Sequence, residues 1–344
     1  MLVFILVALS VLAATIPMFT FLGVVWWLDR YDREPIWMVA LTFFWGAFGG
    51  AGLSLLGNTS LHLLIAGLLG AEHAEWMGPV LVAPIIEEPT KAAVLLLVAM
   101  SRHFDNTTDG FVYGAAAGLG FGMTENMLYF YQVSQVAGFD PLQGIASWLG
   151  TVTIRTFYSA VMHATASSLI GAAIGWSRFR SRPVKLLTIP LGLLAAMGMH
   201  ALWNGLLTVG GVMGNEDSML LINLVILPLE VLLVFAIFQL SLRAERRVLI
   251  RELTEEAEQG LIPSAHVAPL CSYFGRNSTR FLPAGLPEDA YIKAATTLAM
   301  RKHQVRQCPP AKSALYSDDV ERLRREVAGI LALPAPPPTT GSAS

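Results

Sequence analysis

Seven apolar stretches fill most of the first 241 positions of this 344-residue chain: 2–28, 36–57, 78–100, 111–133, 148–174, 187–211 and 219–241. Each is near or above the roughly 20 residues that an α-helix needs to span a bilayer, and each is too long for an ordinary strand. They predict an all-α polytopic membrane protein, multi-pass in the cell membrane, with about seven transmembrane helices. Composition agrees. The chain is 54% hydrophobic and 14% charged, against about 25% charged in a soluble domain, and its mean hydropathy is +0.56. The first stretch has no basic residue before it and is far longer than a signal-peptide core, so it reads as a retained helix. Residues 59–71 are apolar but short and read as an interfacial or re-entrant segment. Two Cys argue against a disulfide scaffold, and a net charge of −2 gives no basic field for nucleic acid.

The cations set an orientation. Nine of the 23 Lys and Arg lie in the first 241 residues. Lys91 and Arg155 fall inside spans. Arg30, Arg33, Arg102, Arg178, Arg180, Arg182 and Lys185 all lie in loops 1, 3 and 5, and loops 2, 4 and 6 have none. The positive-inside rule puts the N-terminus outside and the tail in the cytosol, starting at Arg243, Arg246 and Arg247. Three regions follow: a membrane domain over 1–241, a small helical cytosolic tail over 242–333, and a Pro/Ser/Thr-rich terminus over 334–344 that reads as disordered. The tail pattern predicts short helices over 242–259, 287–304 and 318–333, the first with Arg247 and Arg251 facing Glu255. His266-x4-Cys271 and His303-x4-Cys308 repeat one spacing. It is not a usual zinc spacing, and reduced cytosolic thiols are the plainer reading.

Polar residues sit where the bilayer makes them costly. Span 3 holds Glu87, Glu88 and Lys91; span 4 holds Glu125 and Asn126; span 5 holds Arg155 and His163; span 6 holds His200 and Asn204. Five charged groups facing lipid would cost on the order of 12–17 kcal/mol, more than most domains can lose, so they face one another or water. Counting about 1.5 Å per residue, the polar residues of the four spans fall in one slab, roughly 10–16 Å below the outer edge or somewhat deeper. That predicts a single wet cavity. Glu87 and Glu88 point about 100° apart, so they have different jobs, and Lys91 is within reach of either. Pro89 predicts a local kink. Arg155 reads as a counter-ion, and Glu230 in span 7 has no partner that spacing can name.

A Glu, two His and an Asn in a buried wet site suit water activation: a carboxylate takes the proton, and His or Asn donates to the developing oxyanion. Other intramembrane chemistries fit less well. The chain has no H-E-x-x-H and no G-x-S-x-G. No Asp lies inside a span, and Ser159 and His163 are i,i+4 without an acid to orient them.

These residues also resemble a known family. Glu87-Glu88-Pro89-Thr90-Lys91 is similar to the E-E-x-x-K motif of PrsW-type intramembrane proteases, and Phe121-Gly122-Met123-Thr124-Glu125-Asn126 to their F-x-x-x-E-N motif. His163 and His200-x-x-x-Asn204 resemble the two later His motifs, and the loop from Asp29 to Pro35 resembles the family's first cytosolic loop. Four motifs in order across residues 85–205, each inside a span, are fairly specific. The resemblance implies the wider superfamily of CAAX prenyl endopeptidases and bacteriocin-immunity-type membrane proteins. There, the first Glu of the pair is assigned to activating water and the H-x-x-x-N pair to binding the oxyanion. Carried over, Glu87 is the base, and His200 and Asn204 stabilise the oxyanion. The superfamily has His where this chain has Glu125, which leaves Glu125, His163 or a metal held by both as the second partner of the water. The resemblance further implies a membrane-bound protein substrate, an anti-sigma factor in PrsW relatives. The expectation is a glutamic-type intramembrane peptidase without a cofactor. Glu87, Glu125, His163, His200 and Asn204 are the catalytic set, and Glu88, Lys91, Asn126 and Arg155 pair charges beside it. The alternatives are a zinc-dependent peptidase and a non-enzymatic binding protein or transporter using the same cavity.

Overall fold

The computed structural model describes residues 1–278, 282, 286–308 and 310–332, and helices form nearly all of them. The segment 334–344, expected to be disordered, lies outside the described residues. The first helix, α1, is Leu2–Leu28. The second, α2, runs over Ile36–Leu69 and contains a π-helical turn at Trp45–Gly50. The third, α3, covers 71–98, with a π turn at Gly78–Val82 before the regular stretch Ala83–Val98. Then follow α4, Thr107–Ser134; α5, Pro141–Ser177, with a π turn at Arg155–Ser159; α6, Arg182–Met213; and α7, Glu216–Glu258.

Local chemistry sets the ends. Asn106 caps α4 by accepting from the amides of Thr108 (2.6 Å) and Asp109 (3.1 Å), while the Asp109 carboxylate accepts from the Asn106 amide at 3.0 Å. Asp140 caps α5 ahead of Pro141. Gly70, at φ 99, turns the chain between α2 and α3, a conformation that costs glycine little.

Five helices among the described residues are long and apolar enough to cross a membrane: α1, α2, α5, α6 and α7. Helices α3 and α4 are long enough too. They are less apolar because α3 carries Glu72, Glu75, Glu87, Glu88 and Lys91, and α4 carries Asp109 and Glu125. The apolar stretch 59–71 is not a separate interfacial segment. Residues 59–69 continue α2, because nothing in 58–60 breaks the helix before Gly70. Ala83–Val98 runs through Pro89 as one helix, and a π turn precedes it at Gly78–Val82.

Contacts divide the chain into two compact units. One comprises Met1–Asp29 and Glu34–Gln239. Helix α4 is its centre: residues 108–123 are all buried, and α4 packs on α1, α2, α3 and α5. Its small residues bring backbones together. A Cβ at Gly110, Gly114 or Gly118 would lie 2.0, 2.3 or 2.2 Å from the carbonyl oxygens of Gly171, Ser167 and His163 on α5. This i,i+4 row is the close-packing device of membrane helices. On another face of α4, a Cβ at Gly120 would lie 1.9 Å from the Phe43 carbonyl oxygen of α2.

The other unit comprises Arg30–Arg33 and the chain from Leu240 on. Beyond α7 it contains α8, Ser264–Leu270; α9, Tyr273–Ser278; α10, Glu288–Gln307; and α11, Pro310–Leu331. The short helix expected over 242–259 is the continuation of α7, whose good helix formers supply no stop before Gly260. The helix expected from 318 begins at Pro310. Leu249, Leu253, Tyr291, Leu298 and Val327 are buried in one core. Glu255 does not pair with Arg251. It takes Arg306 and Lys302 of α10, while Arg251 bonds Glu252 at 2.7 Å. The hydrogen bond from Arg306 holds the Glu255 carboxyl down at about 2. The two His-Cys pairs of the tail do not converge. His266 Nδ1 lies 3.0 Å from the Tyr291 hydroxyl, His303 contacts Arg251 and Gln307, and burial pushes the Cys271 thiol up to about 11.

Candidate active site

A cavity of about 940 Å³ opens among α2 to α6. Glu87, Glu125, Arg155, His163, His200 and Asn204 line it, so the polar residues expected to share one site do share one. Glu88, Lys91 and Asn126 are fully buried beside it. All three π turns contribute to the lining, through Ala47 and Phe48, Gly78 and Pro79, and Arg155 and Ser159. Such turns recur at functional sites because they redirect side chains within a continuous helix.

The two glutamates diverge as their spacing requires. Glu88 Oε1 accepts from Lys91 Nζ at 2.6 Å and from His200 Nδ1 at 2.8 Å. Its neighbour Glu87 turns into the cavity, where Oε1 accepts from Asn58 Nδ2 at 3.0 Å and Oε2 is buried without a hydrogen-bond partner. The other ring nitrogen of His200, Nε2, lies 3.8 Å from Glu87 Oε2. Lys91 Nζ also contacts His163 Nδ1 at 3.0 Å. An ammonium has only protons to give, so His163 Nδ1 accepts, and Nε2 donates to Glu125 Oε2 at 2.7 Å.

Glu125 lies 2.6 Å from Arg155 Nη2, an ion pair by distance rather than an aligned hydrogen bond. Arg155 Nε donates to Asn126 Oδ1 at 3.1 Å, and its guanidinium stacks 3.6 Å from the centre of the Tyr129 ring. The rings of His163 and His200 are edge-to-face with centres 5.0 Å apart, and Phe121 packs on His163 at 5.1 Å. Asn204, expected to face the oxyanion, donates to the Pro79 carbonyl at 2.9 Å and so holds the π turn of α3. Asn58 is a hydrogen-bond partner of the Glu87 carboxylate that sequence reasoning passed over. A span ended at 57 put it outside, although a lone Asn between Gly57 and the apolar run 61–69 was the available signal.

Glu87, His163 and His200 each offer a ligand atom within 4.8 Å of the others, and all three residues are buried. The set fits a divalent cation. Glu87 Oε2 has no hydrogen-bond partner, and a neutral His200 would offer the Nε2 lone pair on a ring oriented by a carboxylate, the usual support of a metal-bound histidine. His163 would exchange its contact with Lys91 or Glu125 for the ion.

Comparison with known proteins gives the same direction. The profile of the PrsW family intramembrane metalloprotease matches residues 34–237, more than half of the chain. The protease PrsW of Bacillus subtilis (strain 168) is 25% identical over 181 residues, covering 52% of this chain and 74% of that protein. The protease PrsW of Clostridioides difficile (strain 630) is 32% identical over 108 residues, covering 31% of this chain and 44% of the relative. That of Geobacillus kaustophilus (strain HTA426) is 26% identical over 152 residues, covering 44% and 59%. No solved structure matches the chain. With the family matched across the helices that carry Glu87, Glu125, His163 and His200, the chain belongs to the PrsW family and is an intramembrane protease.

Proposed function

We propose that the cavity hydrolyses a peptide bond of a membrane-bound protein, with a zinc ion held by Glu87, His163 and His200. The observation that carries this reading is the convergence of three buried ligand atoms within 4.8 Å, one of them an unpartnered carboxylate oxygen. A Glu with two His is a familiar catalytic zinc set. The buried charges agree. Glu87, Glu88 and Glu125 against Lys91 and Arg155 leave one negative charge, which a cation would offset. Bound there, zinc supplies Lewis-acid polarisation of the scissile carbonyl and activation of a water.

The chain's own groups do the rest. Glu88 fixes the His200 ring. Lys91 holds Glu88 and faces His163, and Arg155 orients Glu125. Glu125, freed by movement of His163, is the carboxylate available to take the proton of the attacking water. Asn204 keeps the wall at Pro79 in place. The chain crosses the cell membrane seven times with its N-terminus outside, residues 1–241 carry the peptidase, and the tail 242–333 is cytosolic. An anti-sigma factor is one substrate of the expected kind.

A second reading has its own support. Both nitrogens of His163 are already engaged. Without a metal, Glu87 Oε2 is the base that takes the proton from water, and the enzyme is of the glutamic type. Metal analysis of the purified protein, alongside cleavage of a membrane-anchored reporter, separates the two. The zinc reading expects about one zinc per chain, loss of cleavage on chelation with recovery on zinc, and no cleavage by folded Glu87→Gln. Undiminished cleavage by the stripped protein returns the reaction to Glu87 as base. Full activity of Glu87→Gln rejects the site in either form.

A further inference from the structure

Asn58 lies on the Ala51–Leu69 stretch of α2, in which Ser54 is the one buried residue. Three polar contacts join α2 to α3, two of them from this stretch. Trp45 Nε1 donates to the Thr90 carbonyl at 2.9 Å. Ser54 Oγ and Thr90 Oγ1 share a hydrogen bond of 2.7 Å. Asn58 Nδ2 donates to Glu87 Oε1 at 3.0 Å. Ser54 and Asn58 are i,i+4 on one helix, and Glu87 and Thr90 are i,i+3 on the other, so the two rows meet face to face.

The third contact differs from the first two in where it ends. It takes one oxygen of Glu87 out of play and leaves Oε2 as the oxygen nearest His200 Nε2, at 3.8 Å. Asn58 itself lines the cavity. We infer that Asn58 is a positioning residue for peptide hydrolysis: its amide fixes the Glu87 carboxylate through Oε1 and so decides which oxygen, in which direction, meets the metal or the water. The inference rests on Glu87 belonging to the catalytic site. It holds for either form of the chemistry, because both need Glu87 Oε2 aimed at one point. The residue type suits the task. An amide donates without bringing a charge, whereas Asp at this position would face Glu87 with a second carboxylate about 3 Å away and turn the hold into repulsion.

The test uses the full-length protein in detergent or nanodiscs and a membrane-anchored reporter, with kcat, KM, melting temperature and zinc content measured together. Asn58→Leu keeps the volume and removes the donor, Asn58→Asp reverses the interaction, and Asn58→Gln keeps an N–H donor on a longer arm. Loss of a residue that orients a catalytic ligand costs about 10–100-fold in activity or metal affinity. The expected result is a loss of that size in kcat or zinc retention for the Leu and Asp variants, with KM within about twofold, the wild-type melting temperature in the Leu variant, and partial recovery in the Gln variant. Wild-type kcat and zinc content in Asn58→Leu, beside an inactive Glu87→Gln, would overturn the role of Asn58 and leave the site standing. A fall in melting temperature that accounts for all lost activity would also overturn it, since that is what a structural interhelical bond gives. Full activity of Glu87→Gln would overturn the site and the inference together.

Discussion

Glu88 is fully buried and shares one oxygen between Lys91 and His200. Replacing it with Gln leaves Lys91 without a counter-ion in a dry setting, at a cost of about 3–5 kcal/mol. Glu88→Gln is therefore expected to lower the melting temperature and the yield of folded protein, whereas Glu87→Gln is expected to melt like wild type. Paired melting curves check this, and equal stability of the two variants would contradict the division of labour. That division was readable in the sequence, because adjacent helical residues cannot face the same point. Which glutamate Lys91 takes was not, since i,i+3 and i,i+4 are equally reachable and the choice depends on His200 from another helix. The same limit applies to Asn204. Its place beside His200 on one helix face follows from spacing, but its partner, the Pro79 carbonyl, belongs to a π turn that no local pattern announces. Asn58 escaped for a related reason. A short polar interruption reads as a helix end until the neighbouring helix supplies the acceptor.

At the scale of elements, the apolar runs were plain in the sequence and their windings were not. Run length locates a membrane helix because backbone groups in lipid must be satisfied internally, but a π turn changes neither length nor apolarity. The row Gly110, Gly114, Gly118 could have been read as a packing face from its i,i+4 spacing alone, and it fixes a functional distance. At Gly118 the α4 backbone rests against the His163 carbonyl. The helix that carries Glu125 is thereby seated one side chain's reach from His163, and the 2.7 Å contact between them follows. Gly118→Ala would put a methyl group 2.2 Å from that carbonyl oxygen. Backbone atoms would have to shift, at a cost of about 1–3 kcal/mol. A lower melting temperature and reduced cleavage are expected. Gly198→Ala, where a Cβ meets nothing within 4 Å, is the control that should melt like wild type.

For the molecule as a whole, the sequence separates its parts by composition. Fourteen of the 23 Lys and Arg lie after position 241, and the buried core of the C-terminal unit draws on residues from Leu249 to Val327. The inclusion of Arg30–Arg33 in that unit was not visible, because a loop's partners are tertiary: Arg276 donates to the Tyr31 carbonyl at 2.8 Å and Arg30 lies over the Tyr273 ring. Orientation is tested with a single cysteine placed beside Asp140, in a variant lacking Cys271 and Cys308. An impermeant thiol reagent should label it from outside intact cells, and labelling from the cytosolic side alone would invert the topology. The π turns have one more consequence, which concerns stored winding. A π turn holds one residue more than the α turn it replaces, and one residue is about 100° of winding. If Trp45–Gly50 rewound as α-helix with all its residues kept, the helix beyond it would turn by about that angle, and Ser54 and Asn58 would swing away from Thr90 and Glu87 with every side chain unchanged. The register of both contacts is thus held by the winding of a stretch that makes neither of them.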